Sequence, residues 1–223
     1  LSRLWPGSPQ GVLSGSLDPV RYAEGRLETL GRLRAELFDG EVSLENVGIS
    51  RLFSSGLLLR LHARWEDLNL EEMTTGTPFG RVTGLLRGRL EDLEMAYGQP
   101  QRFDLLLETV SREGVDQKIS VKAVDNIARI GGGGSPFVGM AGYFTSLFRE
   151  FPYKKIGVHA LLENDVFRIN GTIRDDGKEY LVKRSGFSGV NVVNQNPDNR
   201  IRFKDMVKRI QRVTASRSGP VIR

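Results

Sequence analysis

The sequence predicts a mainly β protein: an extended, curved antiparallel sheet forming an apolar groove, with two amphipathic helices in the C-terminal half. Three observations carry this. Apolar and polar residues alternate with period 2 through most of the chain, as they do in strands with one buried and one solvated face. Turn-forming clusters separate those runs. Two later segments switch to helical spacing.

Residues 10–130 read as a repetitive β-groove. Gly-x-Leu recurs at Gly11-Val12-Leu13, Gly15-Ser16-Leu17, Gly25-Arg26-Leu27 and Gly31-Arg32-Leu33, and again at Gly84-Leu85-Leu86 and Gly88-Arg89-Leu90. Each unit resembles a short strand with a glycine-permitted kink, and stacked strands of this kind extend a sheet. In 57–65, Leu57, Leu59, Leu61, Ala63 and Trp65 share one face, and Leu58, Arg60, His62 and Arg64 the other. Val82, Gly84, Leu86, Gly88 and Leu90 alternate with Arg81, Thr83, Leu85, Arg87 and Arg89. Phe103, Leu105 and Leu107 repeat the pattern, and so do Ile119, Val121 and Ala123.

Residues 131–151 read as a glycine hinge, Gly131–Gly134, followed by an apolar helix. Ser135 suits its cap and Pro136 its first turn. Phe137, Met140, Ala141, Phe144, Leu147, Phe148 and Phe151 keep helical spacing. Residues 156–196 read as β-hairpins, with strands at 156–163, 166–174, 179–185 and 189–195. Glu163-Asn164-Asp165 and Asp175-Asp176-Gly177 supply the tight turns. Residues 202–213 read as a basic amphipathic helix: Phe203, Met206, Val207, Ile210 and Val213 on one side, Lys204, Lys208, Arg209 and Arg212 on the rest.

Composition removes several functional classes. The 223 residues include no Cys and two His, His62 and His159. Disulfide scaffolds, zinc ribbons, thiol catalysis and multi-His metal sites are therefore excluded. No apolar run reaches the ~18 residues of a membrane-spanning helix, and nothing reads as a signal peptide. The start at Leu1-Ser2-Arg3 is expected of a C-terminal fragment of a longer protein. There is no phosphate loop and no nucleophile elbow, because Gly131–Gly134 is followed by Ser135-Pro136 without a Lys. The carboxylate pairs Glu66-Asp67, Glu71-Glu72, Glu91-Asp92 and Asp175-Asp176 fall in predicted turns or on polar faces, where solvation accounts for them. Asn170-Gly171-Thr172 sits inside a predicted strand. The expectation is a non-enzymatic protein needing no cofactor and no metal.

Charge is uneven. The net value is +5, yet residues 198–223 hold eight basic and two acidic residues, leaving −1 for the rest. A basic end on a near-neutral body suits an anionic contact such as a membrane surface or a partner. Nucleic acid is not expected, because aromatic residues do not interleave with the basic ones.

A one-sided apolar sheet needs a cover, and two short helices hide only part of about ten strands. The remainder must curl on itself, pair with other chain, or hold a ligand. Ten strands at ~4.8 Å spacing give a groove of ~50 Å. Acyl chains fit such a groove, since each CH₂ kept from water gains ~0.8 kcal/mol.

The runs Gly31-Arg32-Leu33-Arg34-Ala35-Glu36-Leu37-Phe38-Asp39-Gly40-Glu41-Val42, Leu58–Leu70 and Phe79-Gly80-Arg81-Val82-Thr83-Gly84-Leu85-Leu86-Arg87-Gly88 resemble the C-terminal region of AsmA-like proteins. These are envelope lipid-transport proteins of the TamB and YdbH types. The likeness spans 20–125 and rests on strand patterns. It implies an inner-membrane anchor upstream, a location in the periplasm of a diderm bacterium, and phospholipid passage toward the outer membrane. The basic helix at the end departs from the family pattern.

The expected groove lining is Leu57, Leu59, Leu61, Val82, Leu86, Phe103, Leu105, Leu107, Ile119 and Val121. Phe137, Met140, Phe144, Leu147 and Phe148 would form a lid or gate. Lys204, Lys208, Arg209 and Arg212 would meet lipid headgroups or a partner. The alternative expectation is a scaffold or assembly factor that binds outer-membrane clients or a lipoprotein by β-strand addition.

Overall fold

The structure, a computed structural model, describes residues 12–16, 18–29, 31–51, 56–137, 150–197 and 200–208. The N-terminal half contains β1 (Val12–Ser16), β2 (Val20–Ala23), β3 (Arg26–Thr29), β4 (Arg32–Leu37), β5 (Gly40–Ser50) and β6 (Leu58–Asn69). Next come α1 (Leu70–Thr74), β7 (Leu85–Ala96), β8 (Gln99–Val110), β9 (Lys118–Ser120) and α2 (Val121–Ile130). The chain continues with β10 (Glu150–Glu163), β11 (Val166–Gly171), β12 (Ile173–Asp175), β13 (Lys178–Arg184), β14 (Val192–Val193) and β15 (Ile201–Arg202). A short helix, α3, follows at 203–208.

All fifteen strands join one antiparallel sheet, and that sheet does not close on itself. Its main path runs β1-β4-β5-β6-β7-β8-β10-β11-β15. Consecutive strands are joined by tight turns in which two successive residues take positive φ. Phe38-Asp39 (51° and 58°), Tyr97-Gly98 (53° and 72°), Asn164-Asp165 (53° and 61°) and Asp176-Gly177 (48° and 67°) are of this kind. Such turns match the right-handed twist of the strands they connect. Bulges near Asn46, Asp67 and Asp92, each at positive φ, shift the register within β5, β6 and β7.

Alternation carries through the ladder. Ala35, Val42, Trp65, Gly88, Leu107, Val158 and Gly171 occupy one cross-strand row from β4 to β11. Leu33, Leu44, Ala63, Leu90, Leu105, Ala160 and Ile169 form the next row on the same face. The opposite face holds ion pairs: Arg32–Glu45 at 2.5 Å, Arg60–Glu94 at 2.9 Å and Arg87–Glu108 at 3.1 Å.

Several elements differ from the sequence expectation. Ile119 is in β9, but Val121 and Ala123 belong to α2. Ser120 caps that helix, its side chain accepting from the Ala123 N–H at 3.3 Å. Ala123, Val124, Ile127 and Ala128 then bury one helical face. Pro136 and Phe137 form a turn, and Phe151 lies in β10, so the expected helix does not reach either end of 136–151. The expected strand 166–174 is split between β11 and β12, and 189–195 contracts to Val192–Val193. The Gly-x-Leu units are not structurally equivalent: Gly25 sits in a turn, Gly15 and Gly88 lie within strands, and Gly84 precedes one.

Gly88 shows why its position excludes a side chain. It pairs directly with Trp65, whose indole lies over it. A Cβ there would come within 2.3 Å of the Leu106 carbonyl and 2.8 Å of the indole. Gly88→Ala is therefore expected to displace Trp65 and to destabilise the protein by about 1–3 kcal/mol. Thermal unfolding followed by tryptophan fluorescence measures both, and an unchanged melting temperature would contradict this packing.

Candidate functional site: an apolar cavity on one face of the sheet

An apolar cavity of about 490 Å³ opens on one face of the sheet, within the ~300–1,000 Å³ range of small-molecule pockets. Its floor is the apolar face of four strands. These contribute Leu86 from β7, Phe103, Leu105, Leu107 and Thr109 from β8, Ile156, Val158 and Ala160 from β10, and Phe167 and Ile169 from β11. Leu70 and Thr74 of α1, Phe79, Val82, and Ile127 and Ile130 of α2 form the walls at one end. Phe203 of α3 walls the other, packed edge-on to Phe103 with ring centroids 6.5 Å apart.

The polar atoms among these residues are turned to internal partners. The Thr74 hydroxyl donates to the Leu70 carbonyl at 2.7 Å and accepts from the Val82 N–H at 3.0 Å. The Thr109 hydroxyl accepts from the Ile156 N–H at 2.9 Å. With hydrogen bonds satisfied at the backbone, the cavity presents hydrocarbon and aromatic surface to an occupant. Among the described residues, no group of three His, Asp or Glu side chains is placed to hold a metal ion.

Five of the ten residues expected to line a groove do line this cavity: Val82, Leu86, Phe103, Leu105 and Leu107. Ile119 is fully buried in the core behind it, and Val121 packs against that core from the first turn of α2. Leu59 and Leu61 share the apolar face of β6 but lie outside the cavity, and Leu57 precedes the strand with 43% of its surface exposed. Phe137 is buried and stacks on Phe151 at 5.5 Å, which makes it part of the core. Met140, Phe144, Leu147 and Phe148 lie outside the described residues. Lys204 and Lys208 are exposed on α3, while Met206 is fully buried beneath them. Met206 of α3 is thus used inside the protein, while Lys204, Asp205 and Lys208 are exposed, with Lys208 3.7 Å from Asp205. Arg209 and Arg212 lie outside the described residues.

Sequence reasoning did not assign to the site the contributions from β10, β11 and the three helices, nor Phe79 and Thr109. Alternation at Ile156, Val158 and Ala160 marks a strand, but not that it pairs with β8 across some fifty residues. The apolar face also continues past the cavity. Leu33, Leu44, Ile49, Leu59, Leu61 and Met95 are only partly buried and belong to no buried cluster.

Across the sheet, Glu108 is the most strongly held carboxylate. Burial draws its pKa upward, but hydrogen bonds from Lys155, Thr172 and Arg87 outweigh that and hold it at about 2. Lys155 and Thr172 each approach to 2.7 Å. The folded protein keeps Glu108 charged where an ordinary glutamate, at 4.5, takes up a proton. Its contribution to stability is therefore complete above that value and is lost as pH falls toward 2. Glu108→Gln should flatten the dependence of stability on pH in this window, measured by urea unfolding at a series of pH values. An unchanged slope would contradict the assignment.

No protein-family model, curated protein or solved structure matches this chain.

Proposed function

We propose that this chain is a non-enzymatic lipid-binding module that shields phospholipid acyl chains on the apolar face of its sheet. The reading rests on one observation: a 490 Å³ cavity whose lining offers hydrocarbon and ring carbon with no free polar group. A ligand with a polar body would leave its own groups unpaired there, at a cost of ~1–3 kcal/mol each. An acyl chain gains ~0.8 kcal/mol for each CH₂ it keeps from water.

The apolar rows across β4–β6 extend the same surface beyond the cavity, so a long chain or a second chain can continue along them. Passage of phospholipid between inner and outer membranes, in the periplasm of a diderm bacterium, is the setting that the AsmA-like strand pattern suggests. Lys204 and Lys208 on α3 are exposed cations for a headgroup or a membrane surface, Lys208 lying 3.7 Å from Asp205. A second reading, strand addition by an outer-membrane client, is favoured by the outer edge of β1, which has no partner strand among the described residues.

Native mass spectrometry of the chain purified without detergent should find phospholipid bound. Leu105→Trp, which fills the cavity with apolar volume, should remove at least nine-tenths of that lipid while the melting temperature stays within a few degrees. A folded, lipid-free wild-type protein that also fails to take up phospholipid from vesicles would refute the reading.

A further inference from the structure

We propose that the opposite, polar face carries a second site, a pocket for a small phosphomonoester held between Arg89 and Arg174. The pocket has a volume of about 490 Å³, and Arg89, Leu106, His159, Thr172, Arg174 and Glu179 are among the residues that line it. Leu106 alternates with Leu105 and Leu107, so this pocket and the apolar cavity lie on opposite faces of one sheet. The proposal therefore stands independently of lipid binding.

Arg174 carries an uncompensated charge for a specific reason. Its cross-strand partner is Glu179, the arrangement in which opposite charges ordinarily pair. The Glu179 carboxylate is turned elsewhere. Its Oε1 accepts from the Gly171 N–H at 2.7 Å, from Asn194 Nδ2 at 2.7 Å and from Asn170 Nδ2 at 3.3 Å. Arg174 forms no hydrogen bond or ion pair among the described residues.

Arg89 is short of negative charge too. It stands directly opposite Arg64, and both reach the same Glu91 oxygen, at 3.3 Å and 3.9 Å. Only the Arg89 Nε is used, which leaves the outer nitrogens of its guanidinium for another acceptor. Two planar forks from different strands, facing one pocket, suit the oxygens of a phosphate group.

The remaining walls are fixed by bonds within the protein. The His159 Nε2 is 2.9 Å from an Asp104 oxygen. The Thr172 hydroxyl donates to Glu108 at 2.7 Å, and Asn170 Nδ2 donates to the Pro197 carbonyl at 2.7 Å. The arginines thus supply the donors left over in an otherwise bonded polar frame. The space is many times the ~30 Å³ of one water, so it accommodates the organic part of an ester as well as its phosphate.

Calorimetry with inorganic phosphate and glycerol 3-phosphate tests the site on the full chain. Glycerol 3-phosphate should bind, inorganic phosphate should compete with it, and Arg174→Gln and Arg89→Gln should each weaken it at least fivefold. Arg60→Gln, on the same face but outside the pocket, should leave it unchanged. Vesicles containing phosphatidic acid separate the possible sources. Retention that glycerol 3-phosphate competes away and Arg174→Gln abolishes identifies a lipid headgroup, whereas soluble binding without retention identifies a free metabolite. Absence of binding by glycerol 3-phosphate overturns the proposal, and so does binding that Arg174→Gln weakens less than fivefold. Arg174 has no partner to lose, so circular dichroism should show that variant fully folded.

Discussion

An antiparallel sheet with one apolar face is stable only when that face is kept from water, and this constraint organises the molecule. The main path contains nine strands, which at ~4.8 Å spacing span about 38 Å. The longest described helix, α2, has ten residues and is therefore ~15 Å long. It cannot cover the sheet. The core follows this mismatch: the buried cluster gathers beneath α1, α2 and α3, and the cavity opens between them. Further toward β1, the same face is only partly buried.

The polar face solves the complementary problem. Arginines outnumber lysines on these strands and stand across from glutamates, as in Arg32–Glu45 and Arg60–Glu94. Each exposed pair contributes about 0–1 kcal/mol, so their chief effect is to fix which face is solvated. A slip of one residue would bury that charge and expose the leucines. Glu108 is the exception in strength, because three donors converge on it behind a largely buried side chain. Where acid and base do not match, at Arg89 and Arg174, the surface keeps charge to spare.

Much of this was legible in the sequence, for a physical reason. Period-2 alternation is local, so the faces of β6, β7 and β8 can be read directly, and Leu86, Leu105 and Leu107 fall where that reading places them. Turn chemistry is equally local, as Asn164-Asp165 and Asp176-Gly177 show. The helix α2 was hidden because Ile119, Val121 and Ala123 mimic a strand for just long enough. The Ser120 cap and the spacing of Val124, Ile127 and Ala128 were the signals that would have found it. What no local pattern can supply is long-range pairing. The meeting of β8 with β10, and of Phe203 with Phe103 and Phe167, depends on contacts between distant segments. The outer residues Leu59 and Leu61 were placed on the right face, but their distance from the helices, not their alternation, keeps them out of the cavity.

The account depends most on the cavity holding hydrocarbon. Nuclear Overhauser spectroscopy on methyl-labelled protein saturated with a phospholipid reads this contact directly. The account predicts cross-peaks from acyl methylene protons to the methyl groups of Leu105, Leu107, Val158 and Ile169. Cross-peaks confined to the exposed residues Leu57 and Val20, or none at all with lipid bound, would contradict it.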